Sequence, residues 1–190
     1  MQAELERMYS CEQSSFRSTP SGAKQTDDGA SQATLADPLR RERSVSFVAM
    51  DENVRALTAG LVPGGRGNVV ALDYAARELG VDWPRDYAAF MAEQDGGEGL
   101  VGKSYVSLFA AADLVEMNIG YGIAEFAPGF VLFGGDGGGE GFAFDVRTKP
   151  TSIVMLPFVG LDDPVPLGRT FVAFLERARD QRLFEHDQTG

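Results

Sequence analysis

FVLFGGDGGGEGFAFDV, Phe130 to Val146, is the stretch on which the fold turns. Phe130 to Phe133 is a short apolar run. Phe142, Phe144 and Val146 alternate with Ala143, Asp145 and Arg147, the period-2 pattern of a half-buried strand. Six glycines surround Asp136 and Glu140 between these two runs. Glycine reaches positive φ at no steric cost, so the segment reads as a chain reversal carrying a bulge. Each strand offers an aromatic face, and a lone hairpin is marginal in water. More strands or a helix must cover it.

The flanking sequence supplies both. Val54, Leu57, Leu61 and Val62 have the spacing of a short helix, ended by Pro63 to Gly67. Asn68 caps a second helix with Val69, Leu72, Ala76 and Leu79 on one face, and Gly80 stops it. A third helix enters through Asp82, Pro84 and Asp86, buries Tyr87, Phe90 and Met91, and ends at Gly96 and Gly97. Trp83 anchors that entry to the core. Tyr105 to Leu108 reads as a strand, Ala110 to Asn118 as a helix, and Gly120 to Pro128 as a loop. After the hairpin, Ser152 to Phe158 is a strand with Pro157 at an end or edge, and Leu161 to Gly168 is a loop. A last helix from about Arg169 to Arg179 turns Phe171, Phe174, Leu175 and Ala178 inward. This order predicts an α+β domain with a mostly antiparallel sheet flanked by helices. The domain is expected over residues 51–180, with a disordered extension over 1–50 and a flexible tail over 181–190. The extension is rich in Ser, Thr, Gly and charge, with too little apolar surface to offset its chain entropy. Patterned sequence begins near Met50, which also reads as an alternative translation start.

Net charge narrows the function classes. The 190 residues carry −11 at pH 7. Residues 68–180 hold eight Lys/Arg against seventeen Asp/Glu, so the acidity lies in the patterned part. Such a field repels nucleic acid and anionic membranes and attracts basic partners, and it also keeps a domain soluble. The opening MQAELERMYSCEQSS places charge where a signal peptide needs an apolar centre, and no apolar run approaches the ~20 residues of a membrane span. A cytoplasmic protein is the expectation. Cys11 is the one cysteine, which leaves no internal disulfide and no cysteine metal cluster.

Gly97 to Ser104, GEGLVGKS, satisfies the G-x-x-x-x-G-K-[ST] pattern in which backbone amides cradle phosphates, Lys103 reaches the terminal phosphates and Ser104 holds magnesium. The pattern requires a strand before the glycines and a helix after them. Here PRDYAAFMAEQD reads as helix, and Ser104 leads into a strand. Nucleotide binding through this loop is therefore the weaker alternative. His186, the lone histidine, lies in the expected tail, away from any triad. Asp136, Glu140 and Asp145 occur in one copy without a repeat and read as a turn rather than a calcium site. Asp162 and Asp163 are adjacent and would point apart in an extended loop, so nothing in their spacing argues for a hydrolytic pair. The residues call for no enzyme, no cofactor and no metal.

Three segments together resemble the SUKH superfamily, which includes the fungal Smi/Knr cell-wall regulators and many bacterial immunity proteins. LGVDWPRDYAAFMAEQDGG is similar to its Leu-Pro-x-x-Tyr-x-x-Phe helix entry with closing glycines. GFVLFGGDGGGEGFAFDVR is similar to its strand, Gly-Gly turn and strand ending in Asp. TFVAFLERA is similar to its closing Phe-x-x-Phe-Leu helix. The resemblance runs from about Asn68 to Arg179. It departs at Trp83, where the family usually has Leu. It implies a non-catalytic α+β domain that binds a protein. In the bacterial branch the expected partner is a toxin, often a nuclease with a basic surface; in the fungal branch it is an endogenous protein. Loop acids are the expected contacts: Glu93, Asp95, Glu98, Asp136, Glu140, Asp162 and Asp163.

Overall fold

In a computed structural model, the described residues are 49–158 and 163–184. The chain divides into two units, Met1–Ser44 and Val45–Gly190, and the described residues all lie in the second. Residues 1–48 of the expected extension and 185–190 of the expected tail fall outside them, while Met50, expected in the extension, is buried in the core.

Seven strands form one sheet in sequence order, every neighbouring pair antiparallel. They are β1 (Leu61–Pro63), β2 (Gly97–Val101), β3 (Ser104–Leu108), β4 (Phe130–Gly135), β5 (Glu140–Asp145), β6 (Ser152–Pro157) and β7 (Val165–Gly168). The helices are α1 (Glu52–Leu57), α2 (Val69–Leu79), α3 (Arg85–Gln94), α4 (Leu114–Gly120), α5 (Ile123–Phe126) and α6 (Phe171–Arg179). The α+β class stands, with more strands than the periodicity predicts.

The central hairpin is β4 and β5, with a register shift between Leu132 and Gly134, inside β4 and before the glycine turn in which a bulge was expected. Asp136 closes the turn, its Oδ1 accepting from the amides of Gly138, Gly139 and Glu140 at 2.7, 3.1 and 3.0 Å. One face of the hairpin carries Val131, Phe133, Phe142 and Phe144 into the larger core cluster, against Tyr87, Phe90, Phe171, Phe174 and Leu175 from α3 and α6. Tyr87 is the hub of the aromatic packing, with ring centroids 5.0 to 5.5 Å from Phe144, Phe171, Trp83 and Phe133. Trp83 is anchored as expected, its indole N–H donating to the Leu72 carbonyl at 3.1 Å.

The hairpin departs from the half-buried reading. Its opposite face is buried too: Phe130, Leu132 and Ala143 join Val154, Leu156, Ile123 and Ala127 in a second cluster. The cover is α5, inside the stretch expected to be a loop. A helix of four residues is too short to display a period, so only packing reveals it.

Other corrections have similar causes. Leu61 and Val62 belong to β1 rather than to the first helix, and β1 exists because β2 pairs with it. β2 occupies the glycine-rich motif itself, and β7 occupies the expected loop before the last helix. In α2 the inward residues are Leu72 and Ala75, while Val69 lies exposed. The capping reads as expected: Asn68 accepts from the Ala71 amide at 3.0 Å, and Gly80 takes the left-handed conformation at φ 65°. Leu183 is buried in the larger cluster, so packing continues past residue 180.

Candidate functional site

The expected contact acids fall into three groups. Glu93 lies within α3 rather than in a loop and ties down the chain entry. Its carboxylate accepts from the Met50 amide at 2.9 Å and from Arg55 at 2.9 Å. The Met50 amide, opposed by burial and helped by Arg55, holds it below the ordinary carboxylate range. Asp95 is buried at the C-cap of α3 with φ 51°, and accepts from the Ala111 amide at 2.9 Å. Both carboxylates have internal structural duties.

Asp136, Glu140, Glu98 and Tyr105 gather near one end of the sheet. Asp136 shapes the hairpin turn described above. Glu140 starts β5, and burial, together with the Asp136 charge, raises its pKa. Glu98 is exposed on β2 and accepts from the Tyr105 hydroxyl at 3.0 Å. Tyr105 and Asp136 line a shallow depression with Lys103 and Ser104. Asp163 is exposed, with φ 52°, and starts the described segment before β7; Asp162 lies outside the described residues.

The phosphate-loop pattern does not build a phosphate cradle. Gly97–Val101 is a strand held on both sides, by β1 and by β3. Lys103 sits in the turn to β3, and no helix follows to aim its positive end at an anion. The Ser104 hydroxyl, the would-be magnesium ligand, donates to the Ala178 carbonyl at 2.6 Å.

A further surface was not among the expected contacts. At the corner between α4 and α5, Ile119 is 73 % exposed, Phe126 63 % and Tyr121 41 %. Asp113, Glu116 and Glu125 are exposed around them. Asp113 at the N-cap of α4, and Glu116 and Ile119 on the helix, follow a three-residue spacing that puts neighbours on adjacent parts of one face. Leu114 and Asn118, four apart, form the buried stripe. The signal that marks this corner is in the sequence: from Ser104 to Val146 there is no Lys or Arg, while six acids occur.

The corner is held firmly from beneath. The Asn118 side chain is buried and donates to the carbonyls of Leu114 and Leu132, both at 2.8 Å. It also accepts from the Leu132 amide at 2.8 Å. β3 pairs with β4 through Ser107 and Leu108, the Phe109 amide donates to the Phe133 carbonyl at 3.0 Å, and Asn118 then occupies Leu132 as a neighbouring strand would. Gly122, left-handed at φ 63°, turns the chain from α4 into α5. The Phe126 ring lies across it, where a side chain on residue 122 would meet the ring. Tyr121 stacks on Phe158 at 4.5 Å and 12°.

Among the described residues no helix is long and apolar enough to cross a membrane. The family model described as SMI1 / KNR4 family (SUKH-1) matches residues 65–177. That match takes in the sheet from β2 to β7, helices α2 to α5 and most of α6. No curated protein matches the chain. The chain belongs to the SMI1 / KNR4 (SUKH-1) family.

Proposed function

We propose, from membership of the SMI1 / KNR4 family, that this chain is a non-catalytic cytoplasmic domain that binds a protein and acts as an immunity protein. It neutralises a toxin with a basic surface by covering it, without turnover. The observation that carries this reading is the charge of the patterned part, eight Lys/Arg against seventeen Asp/Glu over residues 68–180. A nuclease toxin presents a basic substrate surface. An acidic inhibitor meets such a surface faster and excludes like-charged competitors. The same field disfavours nucleic acid and anionic lipid as partners. Among the described residues, Glu98 and Asp163 are the exposed members of the expected set. Glu93 and Asp95 serve the interior, and they support the reading only through the overall field.

The experiment is expression of the chain beside each candidate toxin gene from its native neighbourhood. A toxin whose killing is suppressed, and whose purified activity falls in a saturable, stoichiometric way as the chain is added, fits occlusion. Purification with a stable endogenous complex and no protection from any toxin points instead to a regulatory domain of the fungal kind.

A further inference from the structure

We propose that the α4–α5 corner is the docking surface for this partner, and that it takes a segment of protein in which basic and apolar side chains alternate. The inference rests on the basic-partner reading above and adds the place and the chemistry of contact.

Three observations converge on the corner. Ile119, Tyr121 and Phe126 are exposed within a few residues of one another, although half of the sixteen described aromatic residues are buried. Aromatic and large aliphatic side chains on a surface are the usual anchors of a protein interface. The rim is acidic, with Asp113, Glu116 and Glu125, and the stretch Ser104 to Val146 contains no Lys or Arg. That pairing of anchor and rim fits a basic, partly apolar segment and disfavours a second copy of this acidic chain. Finally, the corner is ordered in advance by Asn118 on Leu132 and by Tyr121 on Phe158. Binding then costs little ordering entropy.

Two other exposed apolar surfaces offer a useful contrast. On α2, Val69, Val70 and Tyr74 are exposed, but Arg77 is exposed one turn further along the same helix. On β1 to β3, Val62, Leu100 and Tyr105 are exposed in the company of Glu98, but Lys103 stands in the adjoining turn and the Tyr105 hydroxyl is held by Glu98. At the corner, residues 113–126 carry three acids and no Lys or Arg; the next cation along the chain, Arg147, lies over the Phe130 ring at 4.1 Å and is paired with Asp145.

The test uses the full chain, isotopically labelled, and three synthetic peptides of about twelve residues, long enough to span a patch of this size. They alternate lysine with leucine, lysine with serine, and glutamate with leucine. The expected result is that the lysine–leucine peptide shifts amide resonances centred on residues 113–126, and that the other two bind at least about tenfold more weakly. Ile119→Ser combined with Phe126→Ser, and separately Glu116→Lys combined with Glu125→Lys, each weaken the lysine–leucine peptide at least about tenfold. Val62→Ser combined with Leu100→Ser leaves it unchanged. Unaltered amide spectra away from each substitution show that the variants are folded.

Binding centred on β1 to β3, or self-association through the corner in sedimentation, overturns the assignment of the surface and leaves the basic-partner reading standing. Failure of both lysine peptides to bind any face overturns both.

Discussion

The Asn118 side chain holds both backbone groups of Leu132, donating to its carbonyl and accepting from its amide, each at 2.8 Å. A side chain on α4 thus does for β4 what a neighbouring strand does elsewhere in the sheet. Replacing it with Leu keeps the size but strands a buried amide and a buried carbonyl. Asn118→Leu is expected to lower stability by about 2–4 kcal/mol. Asn118→Asp retains the acceptor for the Leu132 amide, loses the donor and places a carboxylate in a buried position, so it is also destabilising. Denaturant unfolding of both variants checks this. A change below about 0.5 kcal/mol, the ordinary range for surface sites, contradicts it.

Tyr87 sets up a prediction of opposite sign. It is fully buried at the centre of the aromatic cluster, and its hydroxyl has no hydrogen-bond partner among the described residues. Burial, reinforced by the Asp95 charge, pushes the phenol far above its ordinary pKa, so it stays neutral across the accessible pH range. A buried hydroxyl without a partner carries its desolvation cost in full. Tyr87→Phe keeps the ring packing and removes that cost, and is expected to raise stability by about 1 kcal/mol. A lower thermal midpoint in Tyr87→Phe would show that the hydroxyl has a partner.

Stability should depend on pH through carboxylates that pull in opposite directions. Glu93 is held below the ordinary range chiefly by the Met50 amide, and Asp145 chiefly by Arg147. A depressed pKa means that the unfolded chain binds the proton more readily. The stability these two contribute is present above the ordinary carboxylate pKa and is lost as pH falls through their folded values. Glu140 is raised by burial and by Asp136, so its folded form binds the proton more readily. Its contribution is present below the ordinary value and is lost as pH rises through the raised one. Glu140→Gln is therefore expected to raise the thermal midpoint at neutral pH relative to the parent and to narrow that difference at pH 4. A difference that does not change with pH would remove Glu140 from this account.

Nucleotide binding is the cheapest alternative to test. With Gly97–Val101 paired on both sides and the Ser104 hydroxyl on Ala178, titration of the full chain with magnesium-ATP or magnesium-GTP is expected to release no binding heat. Saturable heat that disappears in Lys103→Ala would restore the phosphate-loop reading.

What the sequence disclosed depended on how local each determinant is. The Asn68 cap, the Gly80 stop and the inward Phe171, Phe174 and Leu175 of α6 follow from nearest neighbours along the chain, and they were legible. β2 was not. Gly97 and Gly99 hold φ of 140° and 149°, values that favour glycine, and they become strand only because β1 and β3 pair with them. α5 and β7 were too short to show a period, and both exist through packing and pairing. At the corner, the long run without Lys or Arg was visible in the sequence. The outward direction of Ile119 and Phe126 was not, because Val115 and Ile123 nearby are equally apolar and turn inward.

The central claim is that the chain acts by binding a basic protein. Its most direct test is affinity capture of the full chain from its native host at low salt and at ~0.5 M salt, where charge screening shortens the Debye length to well under 10 Å. The eluted protein is then purified and its activity measured with and without the chain. The predicted result is a basic, toxic partner that is captured at low salt, is depleted at high salt, and loses activity in proportion to the chain added. Capture of a housekeeping complex indifferent to salt, with no activity inhibited, would contradict the account.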